Sequence, residues 1–93
     1  MTTFSPITPG IAIITGASSG IGRSAAIALN KAGWTVVLVA RRKEAMDEAI
    51  VAMGEEGGKR ARAIVADLSK EEEVLMVFRV VRQEYGMFPF VQR

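Results

Sequence analysis

Neither cysteine nor histidine occurs among the 93 residues. The first absence excludes disulfides and thiolate chemistry, and the second removes the usual metal ligand and general base, so no metal site is expected. No apolar run approaches the roughly 20 residues that a membrane-spanning helix needs. Residues 1–9 carry no basic residue and are interrupted by Pro6 and Pro9. They read as a flexible arm, neither a secretory leader nor a transit peptide, which makes a cytoplasmic location the expectation. Charge of one sign is scarce as well. Twelve basic against ten acidic residues leave a net +2, too little to argue for nucleic acid, although Lys59, Arg60 and Arg62 cluster and are expected at the solvated mouth of a strand. Acidic Glu71, Glu72 and Glu73 read as favourable charges at a helix start, not as a ligand cluster. An apolar content of 49% is that of a globular chain. At this length it makes at most one small domain, burying about 64% of its unfolded surface.

What is present is concentrated in one segment. The apolar run Ile11-Ala12-Ile13-Ile14 leads into Thr15-Gly16-Ala17-Ser18-Ser19-Gly20-Ile21-Gly22 and then Arg23-Ser24-Ala25-Ala26-Ile27-Ala28-Leu29. A buried strand, a glycine-rich turn and a helix start stand back to back. The first turn of a helix has backbone N–H groups without intrahelical acceptors, and the helix dipole adds partial positive charge. Glycine lets the chain turn sharply and lets a diphosphate approach without meeting a Cβ; Ser18 and Ser19 add hydroxyl donors. The alternative is a Gly/Ser surface turn that binds nothing. Gly22 is followed by Arg23, so the Gly-Lys-Ser/Thr of a P-loop is missing.

Elsewhere strand and helix patterns alternate, as in a parallel sheet with crossover helices. Strands are expected at 11–15, 35–40 and 61–66, the last at a sheet edge because its start alternates. A first helix over 20–32 should turn Ile21, Ala25, Ala28, Leu29 and Ala32 inward and end at Gly33. A second over 43–54 presents Met46, Ala49, Ile50 and Met53 as core filler, with Gly57-Gly58 as the turn beyond it. A third, with Ser69 and Glu72 as a capping box, should reach Tyr85 and bury Val74, Val77, Phe78, Val81 and Tyr85.

The Thr-Gly-x-x-x-Gly-x-Gly spacing behind a first strand resembles the cofactor signature of the short-chain dehydrogenase/reductase family. The resemblance extends over residues 10–86. It implies an α/β fold, a partial doubly wound Rossmann-type parallel sheet of β-α-β-α-β-α order with strands arranged 3-2-1, and an oxidoreductase that moves hydride between a nicotinamide dinucleotide and a carbonyl or hydroxyl group. It also implies a cofactor site at Gly16, Ser18, Ser19, Gly20, Ile21 and Gly22. After the second strand comes Ala40-Arg41-Arg42-Lys43, with no carboxylate before Glu44. A carboxylate there would favour NAD, whereas a guanidinium pairs with a ribose 2′-phosphate. Arg41 first and Arg42 second therefore point to NADP over NAD; otherwise they are a solubilising basic cluster. In relatives an Asp followed by an apolar residue meets the adenine, which assigns Asp67 and Leu68 that role, unless Asp67 only initiates the helix beside Ser69.

The resemblance then stops. Relatives continue into Asn-Asn-Ala-Gly, a catalytic Ser and a Tyr-x-x-x-Lys pair, whereas Tyr85 is followed four residues later by Pro89 and reads as core. No catalytic residue is therefore assigned, and turnover by these 93 residues alone is not expected; a small-molecule carbonyl or alcohol substrate belongs to a full-length form. Residues 87–93 read as a divergent apolar tail in which Pro89 argues against a fourth strand. That would leave the first strand as an open edge, through which the chain associates with itself or with a relative as a non-catalytic module.

Overall fold

The apolar runs at 11–15 and 35–40 have no polar face, and the reason is visible in their surroundings. The computed structural model describes residues 10–16 and 20–86, and the backbone of 90–92. Strand β1 (Ile11–Thr15) lies inside a parallel sheet, paired on one side with β2 (Thr35–Ala40), which in turn pairs with β3 (Ala61–Val65). Helices cover both faces. Ala12, Ile14, Val36 and Leu38 point to one face and pack with Ala26, Trp34, Met46 and Ala49; Ile11, Ile13, Val37 and Val39 point to the other, against Ile64, Ala66, Val77 and Val81. The two-residue period thus splits one hydrophobic run into two cores, each fully buried Val, Leu, Ile or Met side chain contributing about 1.5–3 kcal/mol.

Helices α1 (Gly20–Lys31) and α2 (Lys43–Ala52) supply the first core, and α4 (Glu71–Tyr85) supplies the second. The strand order 3-2-1 is found, with β3 at the expected edge, but the sheet does not end at β1. Strand β4 (Phe90–Gln92) pairs with it in parallel, Ala12 opposite Phe90 and Ile14 opposite Gln92. The expected open edge of β1 is therefore covered along those residues. Pro89, on which the argument against this strand rested, lies outside the described residues and precedes the strand; a proline before a ladder removes no donor from within it. The arm expected at 1–9 also lies outside the described residues.

Three helix readings need correction. In α1 the buried residues are Ala26 and Asn30, whereas Ile21 is 88% exposed and Ala28 and Ala32 are exposed. The inward stripe is displaced because a polar residue belongs to it: the Asn30 amide donates from Nδ2 to the carbonyls of Gly57 (2.9 Å) and Arg60 (3.3 Å). Hydrophobic periodicity cannot find a buried asparagine. The second helix is interrupted. Gly54, at φ +82°, is in the left-handed region, and the short helix α3 (Gly54–Gly58) occupies the expected Gly57-Gly58 turn. Gly57 packs so closely on α1 that a Cβ there would sit 2.3 Å from Asn30 Oδ1. In α4, Val77 and Val81 are buried as expected, but Phe78 is 39% exposed. Gly33 follows α1 as expected, with its N–H bonded to Asn30 O and the Trp34 N–H to Leu29 O.

Lys59 and Arg62 are exposed at the start of β3, as expected, while Arg60 is partly withdrawn from solvent. Arg60 is half-buried and donates from Nη2 to Asn30 O (3.0 Å). Arg62 pairs with Glu84 at 2.7 Å, and Lys59 with Glu56 at 3.1 Å.

Candidate functional site

Three loops leave the carboxyl ends of adjacent parallel strands and meet at one end of the sheet. The register sets Thr15 beside Val39 and Ala40 beside Val65, so the segments beginning at Gly16, Arg41 and Ala66 emerge side by side. The Ala66 N–H donates to Ala40 O (3.0 Å), tying the last two together. The order 3-2-1-4 reverses at β1, and the crevice at such a switch point is where open α/β sheets hold ligands.

Gly16 takes φ +68°, a conformation a residue with a Cβ adopts at a cost. The chain then enters α1 at Gly20. That residue is not in the positive-φ region, and a Cβ built on it meets nothing within 4 Å. Its missing side chain is thus required neither by backbone strain nor by packing among the described residues. Ile21 beside it is almost wholly exposed, and Gly22 is half-buried. Ser18 and Ser19 lie outside the described residues.

Arg41 and Arg42 follow β2, both exposed, and neither makes an ion pair within 4 Å among the described residues. Arg42 is the N-cap of α2 and makes no side-chain capping bond. Cations at a helix N-terminus oppose the dipole, so the pair does not serve the helix.

Asp67 and Leu68 follow β3. Asp67 Oδ1 accepts from the Ser69 hydroxyl (2.7 Å) and the Ser69 N–H (3.0 Å). The Ser69 hydroxyl bond holds the Asp67 carboxyl below its ordinary pKa and the Ser69 amide adds to this; desolvation opposes them, and the positive charges of Arg41 and Lys70 add smaller lowering effects. Asp67 is therefore a carboxylate, able only to accept. The expected Ser69–Glu72 capping box is not formed: the N-cap of α4 is Lys70, without a side-chain cap, and Glu73, not Glu72, reaches back, accepting from the Asp67 N–H at 2.8 Å. Asp67 captures the serine because its carboxylate is two residues away, a local bond that competes with helix capping.

One feature of this end of the sheet escaped the sequence. An apolar cavity of about 360 Å³ opens beside the strand ends, lined by Ile13, Thr15, Val39, Leu68, Val77 and Phe78. That size is within the range of small-molecule sites. Phe78 was expected in the core; its apolar helical spacing gave no signal that it would face this cavity, where it is 39% exposed. Tyr85 is half-buried at the far end of α4 and packs against the second core.

Known proteins share this fold. The family model for short chain dehydrogenase matches residues 10–90. A 7beta-hydroxysteroid dehydrogenase of Clostridium sardiniense is 48% identical over 80 residues, which are 85% of this chain and 31% of that protein. The L-sorbose reductase of Gluconobacter frateurii, solved in complex with NADPH and L-sorbose, superposes with a TM-score of 0.79 at 35% identity, over 91% of this chain and 32% of the reductase. An NAD+-bound xylitol dehydrogenase superposes with a TM-score of 0.79 at 29% identity, over 88% and 31%. The chain spans about a third of the length of these relatives.

Proposed function

Because the chain belongs to the short-chain dehydrogenase/reductase family, a family of NAD(P)-binding oxidoreductases, we propose that it is the NADP(H)-binding segment of such an enzyme. Gly20 carries this reading. It heads α1 with open space where a Cβ would stand, although glycine costs up to about 1 kcal/mol in a helix. A ligand backbone that must approach the first-turn amides explains the omission. The residues present therefore fit a dinucleotide: Gly16, Gly20, Ile21 and Gly22 line its diphosphate with main-chain groups, and Ser18 and Ser19 add hydroxyls. Arg41, and after it Arg42, pairs with the 2′-phosphate; two exposed guanidiniums without ion pairs among the described residues support NADP over NAD. Asp67 accepts from the exocyclic amine of adenine and the Leu68 N–H donates to a ring nitrogen, with the apolar cavity beside Leu68 next to the ring.

Hydride transfer is the chemistry such a dinucleotide supplies when bound; the work of these residues is to bind and orient it. A carbonyl or alcohol substrate belongs to a longer form, in which relatives place the tyrosine and lysine of the proton relay. Among the described residues no helix is long and apolar enough to cross a membrane.

Calorimetric titration of the chain with NADPH and with NADH tests the reading. One charge-assisted hydrogen bond to the phosphate, about 1.5–3 kcal/mol, gives NADPH roughly a ten- to hundred-fold advantage, lost in Arg41→Ala. Equal affinities in the folded wild type refute the NADP assignment, and no affinity for either refutes the function.

A further inference from the structure

Given that Asp67 and Leu68 read the base, we infer that Glu73 is the positioning residue that makes this reading selective. Past the end of β3 the chain loses its ladder partners one at a time. The Ala66 N–H is still held by Ala40 O of β2. The next N–H, that of Asp67, has moved beyond the sheet and is taken by Glu73 Oε1 from the first turn of α4 at 2.8 Å. Glu73 is only half-exposed, its second oxygen lies 3.9 Å from Lys70 Nζ, and its own N–H is bonded to Lys70 O. One carboxylate oxygen is thus hydrogen-bonded to the Asp67 amide, and the other lies near the Lys70 ammonium.

The consequence falls on the two groups that face the base. The Asp67 main chain is held by Glu73 while its side chain is held through Oδ1 by Ser69. Oδ2 is left as the acceptor, with no hydrogen bond among the described residues. Leu68 lies between two pinned neighbours, and its N–H is likewise unbonded among the described residues. One acceptor and one donor, a residue apart and both immobilised, match the amine and ring nitrogen along one edge of adenine. Hypoxanthine presents the reverse pattern on that edge, a carbonyl and an N–H. Glu73 touches neither base; it acts by stopping Asp67 and Leu68 from rotating to suit the wrong one.

The test measures dissociation constants of the chain for NADPH and for its analogue with hypoxanthine in place of adenine, by fluorescence of the reduced nicotinamide. The wild type should favour adenine by about ten-fold or more, two hydrogen bonds being inverted. Glu73→Ala should reduce that preference to about two-fold, Glu73→Gln, which keeps an acceptor oxygen, should restore it, and the NADPH-over-NADH preference set by Arg41 should not change in either. Amide exchange on the wild type supplies a measurement that needs no variant: the Asp67 N–H should exchange slowly before any dinucleotide is added, and the Leu68 N–H should slow only once NADPH is bound. A ten-fold preference that survives Glu73→Ala, or a fast-exchanging Asp67 amide, overturns the role of Glu73 alone. A wild type that binds NADPH but is indifferent to the base refutes the assignment of Asp67 and Leu68, and this role with it.

Discussion

Gly20→Ala separates what the chain needs for folding from what it needs for its ligand. In the folded protein the added methyl meets no atom of the described residues within 4 Å, and the backbone there is not in the positive-φ region. Alanine exceeds glycine by up to about 1 kcal/mol in a helix interior, and by less in a first turn. With about 4–8 °C in Tm for each kcal/mol in a domain of this size, the variant should melt between about 0 and 8 °C above the wild type. On the proposed function, the methyl stands where a diphosphate would come to reach the α1 amides. Displacing it from one charge-assisted bond costs about 1.5–3 kcal/mol, or roughly ten- to hundred-fold in Kd. Thermal melting followed by circular dichroism and NADPH titration of the same preparation measure both effects. A variant that is more stable and still binds NADPH like the wild type refutes the argument that the glycine is kept for a ligand. One that melts several degrees lower shows that the space is not open.

Three further outcomes follow from the folded chain. Asn30→Ala leaves the Gly57 carbonyl without its 2.9 Å donor in a site where Asn30 is 2% exposed, so urea unfolding should show a loss of about 1–3 kcal/mol with unchanged slope. Gly57→Ala alone should be destabilising, its Cβ 2.3 Å from Asn30 Oδ1, but should cost less in the Asn30→Ala background; simple additivity in that cycle would show that the two residues do not meet. Tyr85, the only tyrosine, has its pKa raised above 10.0 mainly by burial and further by Glu84, with Arg62 opposing. A folded-state value above the unfolded one means that the associated stability is complete below about pH 10 and disappears as pH rises through the folded value. Phenolate absorbance should therefore appear at higher pH in native than in urea-unfolded protein, and coincident curves would contradict the burial.

The alternation of strands and helices, the glycine turn, the basic pair after β2 and the Asp-Leu after β3 were all legible in the amino-acid order, because each depends on neighbours within a few residues. Period-two burial and the need for a positive-φ turn are local matters. Helix orientation was less legible. Met46 and Ala49 were placed correctly because an apolar stripe determines them, whereas Asn30 enters α1's inner face only to satisfy carbonyls of Gly57 and Arg60, about 30 residues distant.

The sequence by itself determined that three strand ends would carry a glycine-rich turn, two guanidiniums and a carboxylate, since these follow from local spacing and residue chemistry. Only the tertiary structure decided that a fourth strand covers β1, that Ser69 serves Asp67 instead of capping α4, and that Glu73 holds the Asp67 amide. Those are choices among competing partners for the same donors and acceptors, and which partner wins depends on where the folded chain brings each group.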